Sequence, residues 1–181
     1  MKDIRMYLDP LDPNREVRVE EQWISDQAYA EVARKMVVLC TDAVFTTSGD
    51  KAIYLTKRSV YPMKGIWWFG GRLFFNDASP EDAISRAIQR ETAHHINPAR
   101  FRFISIHGYA WVKTAQGDFG CKNFGLTYQC EVDDVELDLM RSGLIASEYD
   151  RSFGIQRFDR ERLVAENVHQ ALIDVYDDLF A

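Results

Sequence analysis

Charged side chains recur at helical spacing in one stretch of the sequence, residues 79–95. Residues three or four apart share one face of a helix, so the polar face of this stretch carries Arg86, Arg90, Glu91 and His94. Guanidinium groups fork onto phosphate oxygens, and a carboxylate holds a hard metal ion. The spacing therefore suits an anion bound next to a cation, although periodicity alone favours a solvated helix face with an Arg86–Glu91 ion pair.

Local signals indicate the helix that positions these side chains. Ser79 has the character of an N-cap residue, and Pro80 is tolerated in a first helical turn. Pro98 stands just beyond the last residue of the pattern, where helices commonly stop. The sequence therefore predicts a helix over residues 80–95.

The rest of the chain reads as a mixture of helices and strands. Apolar periodicity and turn residues predict a helix over 25–35, strands at 36–45, 51–58, 66–69, 101–113, 124–132 and 155–158, and one long helix over 160–180. Residues 1–20 lack apolar periodicity and are expected to form an N-terminal arm that packs on the domain or on a partner chain. Residues 21–181 are expected to form one α+β domain that ends in the C-terminal helix.

Composition narrows the class of protein. The 181 residues are 46% hydrophobic and 28% charged, as in an ordinary globular domain, and no apolar run approaches the about 20 residues of a membrane span. The net charge of −6 argues against general nucleic-acid binding, and no signal peptide is evident. We expect a soluble cytoplasmic protein with no nucleic-acid or membrane partner. Its three cysteines are expected to be reduced and structural.

The segment around the predicted helix resembles the Nudix box, in which a glycine turn and a loop lead into a helix with one arginine and several glutamates. The stretch Trp68-Phe-Gly-Gly71 resembles the approach to that box. Arg86 falls on the arginine of the box, Ile88 on an aliphatic position and Glu91 on the last glutamate. The resemblance covers roughly residues 22–165, and it implies an α/β/α sandwich with a mixed central sheet.

The helix also departs from the box. Ala87 and Arg90 replace its two other helix glutamates, and one extra loop residue leaves Asp77 or Ala78 where the first glutamate is expected. The GDP-mannose mannosyl hydrolase branch of the Nudix family also keeps the arginine and the last glutamate while losing the other two helix acids. This resemblance implies a Nudix-type hydrolase of a nucleoside diphosphate sugar such as GDP-mannose. It would transfer the glycosyl group to water and release the nucleoside diphosphate.

The same resemblance implies a set of site residues. Glu91 and the Gly70 carbonyl would hold Mg²⁺, with Mn²⁺ as the alternative, and Arg72 and Arg86 would take the diphosphate. Arg90 would either strengthen diphosphate binding or repel the metal ion. Because that branch is dimeric, a homodimer is expected.

Further substrate contacts are assigned in the same way. Asp42 and Arg58 fall on positions that the related branch uses for substrate. A nucleobase is expected to stack on Trp68, with Tyr61 and Phe69 as the alternatives. Each aromatic residue also fits a place in the core.

The resemblance does not identify the general base, because no histidine lies in the loop at residues 147–154, where the related branch has one. Glu148 or Asp150 could serve there as a carboxylate base. His107 reads better as an ordinary strand residue. A catalytically idle Nudix-fold module that binds a nucleotide or sugar nucleotide is the alternative function, and ordinary pyrophosphate cleavage fits poorly with Ala87 and Arg90.

Overall fold

A computed structural model describes residues 25–181 of the chain. The predicted N-terminal arm, residues 1–20, lies outside these residues. In chain order the elements are α1 (Asp26–Lys35), β1 (Val37–Thr46), β2 (Ile53–Arg58), β3 (Gly65–Trp67), β4 (Phe69–Arg72), α2 (Pro80–Thr92), a 3-10 turn (Pro98–Arg100), β5 (Arg102–Trp111), β6 (Cys121–Glu131), α3 (Asp134–Gly143), β7 (Ile155–Phe158), α4 (Arg160–Ala165) and α5 (Gln170–Phe180).

Strand β1 organises the mixed sheet. It pairs in parallel with β6 along its whole length, from Val37 opposite Lys122 to Thr46 opposite Glu131. Its other edge pairs antiparallel with β4 in the first half and meets β2 at Phe45. Strand β5 lies antiparallel beyond β6, while β3 and β7 flank β2. The strands therefore form one seven-stranded sheet whose two parts join at the β1–β2 hairpin.

Two hydrophobic cores cover the two faces of this sheet. Ala43 and Phe45 of β1 belong to the core that contains α2 and α3, whereas Val44 belongs to the core that contains α4 and α5. Alternate strand residues point to opposite faces, so helices lie on both sides of the sheet. The predicted α+β class and α/β/α sandwich are confirmed.

Helix α2 begins where the sequence predicts. The Ser79 hydroxyl accepts a hydrogen bond from the Asp82 N–H at 3.1 Å, and Pro80 is the first helical residue. The helix ends at Thr92, earlier than predicted, because Ala93 is in the left-handed region with φ 55°. The end of the predicted segment, including His95, therefore follows the helix instead of extending it.

Three other elements differ from the prediction. An additional helix, α3, follows β6 and begins with a capping box formed by Asp133 and Glu136. The aromatic segment forms two short strands, β3 and β4, instead of one. The long last helix is broken into α4 and α5, because Asn167 has φ 48° and His169 caps the second helix.

Two further observations concern the chain as a whole. Cys40, Cys121 and Cys130 are all free thiols, as predicted. Within residues 25–181, no helix is long and apolar enough to cross a lipid bilayer.

Candidate functional site

A cavity of about 290 Å³ opens where β1, β4, the outer end of β5 and the polar face of α2 meet. Most of the side chains selected from the sequence line this one cavity. They are Asp42, Arg58, Gly70, Arg72, Arg86, Arg90 and Glu148. The fold therefore brings together residues that are far apart in the sequence, while their individual roles stay predictions.

One wall of the cavity is aromatic. The Trp67 ring centroid lies 5.8 Å from that of Tyr109 and 5.9 Å from that of Trp111, both at steep angles. Tyr109 and Trp111 stack on each other at 5.2 Å, with 18° between their planes. Such a surface suits a planar or apolar part of a ligand.

Trp68 does not belong to this wall. Its side chain is 0% exposed and packs in the core with α4 and α5, so it has no surface to offer a ligand. The prediction that a nucleobase stacks on Trp68 is therefore corrected by its burial. Phe69, one of the alternatives, is equally buried, whereas Tyr61 and the neighbouring Trp67 do line the cavity.

The two arginines assigned to a diphosphate are placed differently. Arg86 binds Asp77 with two hydrogen bonds, of 2.7 and 2.8 Å, and also donates to the Arg72 carbonyl at 3.0 Å. Arg72 has no carboxylate partner within residues 25–181, and its guanidinium lies 4.0 Å from the centre of the Tyr29 ring. Arg72 is thus held in position and free to bind an anion, while Arg86 holds the loop that precedes α2.

Glu91 lies behind the cavity wall and is 1% exposed. Its carboxylate accepts hydrogen bonds from the Tyr149 hydroxyl at 2.7 Å, from Arg90 at 2.7 Å and from the Gly70 N–H at 3.4 Å. Burial raises the pKa of the Glu91 carboxyl, and Arg90 and Tyr149 oppose this rise. Both of its oxygens are therefore engaged by donors of the protein itself.

Arg90 and Glu148 extend this contact towards the cavity. Arg90 donates to Glu148 at 2.9 Å, and the Arg58 guanidinium lies 3.9 Å from the other Glu148 oxygen. The result is an alternating row of charges, Glu91, Arg90, Glu148 and Arg58. Its inner end is buried, and its outer end lines the cavity.

Asp42 is a second buried carboxyl group, 8% exposed, on the central strand β1. It fits between two glycines: a Cβ atom on Gly125 would lie 2.2 Å from one carboxylate oxygen, and one on Gly70 would lie 2.7 Å from the other. Burial raises the pKa of Asp42 to about 7, Trp68 and Arg58 oppose the rise, and Glu91 adds to it. Near neutral pH this group can therefore either accept or donate a hydrogen bond to a ligand.

The raised pKa of Asp42 predicts a pH dependence of stability. Its folded pKa, about 7, lies above the ordinary value of 3.8, so its contribution is fully present below about pH 4 and is lost as pH rises through 7. Asp42→Asn, which is neutral and nearly isosteric, is expected to reduce the loss of unfolding free energy between pH 4.5 and 8 by up to about 3 kcal/mol. Urea unfolding of both proteins across this range measures the difference. Parallel pH profiles would contradict it.

The two candidate bases differ in their position relative to the cavity. Glu148 lines the cavity, whereas Asp150 does not. The Asp150 carboxylate accepts hydrogen bonds from the Ser152 N–H at 3.0 Å and the Phe153 N–H at 3.3 Å, so it stabilises its own turn. His107 accepts or donates a hydrogen bond with Thr127 at 3.2 Å, in line with its interpretation as a strand residue.

A divalent metal ion does not fit the side chains as they stand. Among the described residues, no group of three or more His, Cys, Asp or Glu side chains is placed to hold one. Glu91 is occupied by Arg90, and the Gly70 group that contacts it is the N–H donor. Asp77, near the extra loop position, is bound to Arg86. The residues predicted to hold Mg²⁺ or Mn²⁺ are therefore not available as metal ligands in this arrangement.

Three aromatic residues of the site were missed from the sequence. Tyr109 and Trp111 alternate with His107 along β5, and this period of two could have placed them on one face of a strand. Tyr149, which binds Glu91, lies in the 147–154 loop and carries no comparable signal.

No protein-family model matches the chain, and no curated protein matches it in sequence. Several solved structures resemble it in fold. A MutT protein from Methanosarcina mazei Go1 has a TM-score of 0.56 and 12% identity over 78% of this chain and 91% of its own. The NUDIX domain of Shewanella oneidensis NrtR, complexed with ADP ribose, has a TM-score of 0.55 and 19% identity over 87% of this chain and 100% of its own. A MutT NUDIX hydrolase from Burkholderia pseudomallei has a TM-score of 0.55 and 16% identity over 80% and 98%.

Some similar proteins are longer than this chain. It spans 61% of Shewanella oneidensis NrtR and 44% of a MutT/nudix family protein from Enterococcus faecalis. NrtR is also solved in complex with a 27mer DNA, so the expected lack of a nucleic-acid partner stays a prediction from net charge alone. The GDP-mannose branch likewise stays a prediction. What the shared architecture does show is that this chain has the Nudix fold.

Proposed function

We propose that the cavity binds a nucleoside diphosphate derivative. The class of ligand that we propose is the nucleoside diphosphate sugars, such as GDP-mannose. The observation that carries this proposal is one cavity lined both by Arg72, which has no carboxylate partner among the described residues, and by an aromatic wall. The NUDIX domain of Shewanella oneidensis NrtR, with the same fold, binds ADP ribose, which is a nucleoside diphosphate joined to a sugar.

Arg72 supplies the contact to the diphosphate. A planar guanidinium forks onto phosphate oxygens, and Arg72 is already fixed against the Tyr29 ring before a ligand arrives. Because the whole chain has a net charge of −6, an anionic ligand needs such a local cation. Arg58 also lines the cavity, and its guanidinium is only weakly paired, since it lies 3.9 Å from the Glu148 carboxylate. It is therefore a second cation that can contact the ligand.

The other groups of the cavity suit the rest of the ligand. Tyr109 and Trp111, which are partly exposed, offer flat surfaces for a nucleobase or for one face of a sugar ring, and the buried Trp67 packs against both. The Asp42 carboxyl group can bind hydroxyl or amino hydrogens. A volume of about 290 Å³ is at the lower end for ligand pockets, so the cavity encloses part of the ligand and leaves the remainder at its mouth.

Arg72→Ala is expected to weaken nucleotide-sugar binding by about 10- to 100-fold, because charged hydrogen bonds contribute about 1.5–3 kcal/mol. Isothermal titration calorimetry with ADP-ribose and GDP-mannose, in buffer with EDTA, measures the change. Arg102→Ala is the matched control, since Arg102 is exposed and bonded to Gln129 away from the cavity. Wild-type protein that binds no member of a nucleotide-sugar panel would refute the proposal.

Hydrolysis of the bound ligand is the second candidate function, favoured by the position of Glu148 at the cavity. Its carboxylate, 22% exposed, could take a proton from the attacking water, while Arg72 neutralises the departing diphosphate. Phosphorus NMR of a nucleotide-sugar incubation separates the outcomes. Release of nucleoside diphosphate supports glycosyl transfer to water, release of monophosphate indicates pyrophosphate cleavage, and binding without turnover supports a binding module.

A further inference from the structure

The contact between Arg90 and two glutamates is the least expected feature of the site. One guanidinium nitrogen lies 2.7 Å from Oε1 of Glu91, and the other terminal nitrogen lies 2.9 Å from Oε1 of Glu148. Glu91 is almost fully buried, and Glu148 meets Arg90 from a segment 58 residues further along the chain. The guanidinium thus bridges one inner and one outer carboxylate.

A divalent ion shared by these carboxylates would need the same space. Metal–oxygen distances of about 2.0–2.6 Å for Mg²⁺ and Ca²⁺ leave no room for a guanidinium between the same two oxygens. The second Glu91 oxygen already accepts hydrogen bonds from Tyr149 and Gly70. Because Arg58 lies near Glu148, the negative charges of the two glutamates are balanced by the positive charges of Arg90 and Arg58.

We infer that Arg90 is the resident cation of this site: it bridges Glu91 and Glu148 where a divalent metal ion would otherwise bind, and so excludes the metal. The positive charge that faces the cavity is then part of the chain and does not depend on metal supply. Removing it exposes two carboxylates that can bind a divalent ion.

A second consequence rests on the proposed function. Arg90 is 40% exposed and lines the cavity, and a guanidinium carries more N–H groups than the two that bind Glu91 and Glu148. The remaining donors can meet an anionic ligand. Ligand affinity of the wild-type protein is therefore expected to be insensitive to EDTA.

The inference is tested with Mn²⁺ alone, without any nucleotide. Full-length wild type, Arg90→Gln and the double variant Arg90→Gln/Glu91→Gln are freed of metal with EDTA, dialysed and titrated with Mn²⁺, with free Mn²⁺ followed by its electron paramagnetic resonance signal. Arg90→Gln is expected to bind Mn²⁺ at least about tenfold more tightly than wild type, and the double variant is expected to lose that gain. Arg102→Gln is the matched control for the loss of one exposed positive charge.

A variant that keeps the charge guards against a folding defect. Arg90→Lys retains a cation, so it should fold and show no gain in Mn²⁺ affinity, and circular dichroism checks that each variant is folded. Wild type that binds Mn²⁺ through Glu91, shown by a loss in Glu91→Gln, would overturn the inference. A folded Arg90→Gln that binds Mn²⁺ no better than wild type would also overturn it. If no nucleotide sugar binds but the Mn²⁺ results hold, the proposed function fails and this inference stands.

Discussion

Replacing Glu91 by leucine is expected to lower the free energy of unfolding by about 3 kcal/mol, because it leaves several donors without an acceptor. The Tyr149 hydroxyl would lose its partner in the buried interior, and the Gly70 N–H would lose the Glu91 oxygen it contacts. Arg90 would lose its inner carboxylate and keep only Glu148. Leucine has a suitable volume, so the loss would come from unpaired polar groups and not from a cavity.

Urea unfolding at pH 7 measures this loss, with two matched variants. Glu91→Gln keeps the shape and one acceptor oxygen, and is expected to cost about 1 kcal/mol. Glu148→Gln removes the outer, more exposed end of the same row and is expected to cost less than about 1 kcal/mol. Equal stability of the leucine and glutamine variants at position 91 would show that the hydrogen bonds to Glu91 are not what stabilises this region.

Gly143→Ala is expected to cost about 3 kcal/mol of unfolding free energy, because overpacking against rigid backbone is not relieved by a change of side-chain conformation. A Cβ atom at position 143 would lie 1.8 Å from the Thr92 carbonyl oxygen and 3.1 Å from the Ala93 Cβ. Helix α3 would have to move away from the end of α2. Chemical denaturation of the variant and the wild type measures the cost.

The same change is expected to reach the candidate site. Thr92 follows Glu91 directly, and the Ile145 N–H beyond α3 donates to the Glu91 carbonyl oxygen at 2.9 Å. Moving α3 would therefore shift Glu91 and weaken nucleotide-sugar binding as well as stability. Gly108→Ala is the control, since the three atoms nearest to its Cβ would belong to the exposed Phe124 ring, which can rotate. A Gly143→Ala variant as stable as Gly108→Ala would contradict the prediction.

The parts of the fold that depend on local signals were predictable. Ser79 and Pro80 define the start of α2, and the spacing of Arg86, Arg90 and Glu91 places them on one polar face. Helix α3 was missed although its capping box, Asp133 with Glu136, is readable in the sequence. Capping and periodicity act within a few residues, and that is why a single sequence reveals them.

The pairing of the site residues was not predictable in this way. Arg90 meets Glu148 across 58 residues of sequence, and only the completed sheet brings the 147–154 loop beside α2. The choice between Trp67 and Trp68 likewise does not follow from spacing, because both belong to the core with α4 and α5 and only Trp67 also lines the cavity. Such contacts follow from tertiary packing, which residue spacing does not encode.

The central position of β1 makes one side of the cavity much less prone to local opening than the other. Thr41 to Thr46 are buried throughout, and the strand has hydrogen-bonded neighbours on both edges, so its amide hydrogens should exchange with deuterium only when the whole domain unfolds. Asp42 belongs to that strand. Tyr61 and Gln116, which also line the cavity, lie outside helices and strands, where brief local openings cost much less free energy. We therefore expect the proposed ligand to enter and leave through local openings of the loops at the cavity mouth, while Asp42 keeps its position on a far longer timescale.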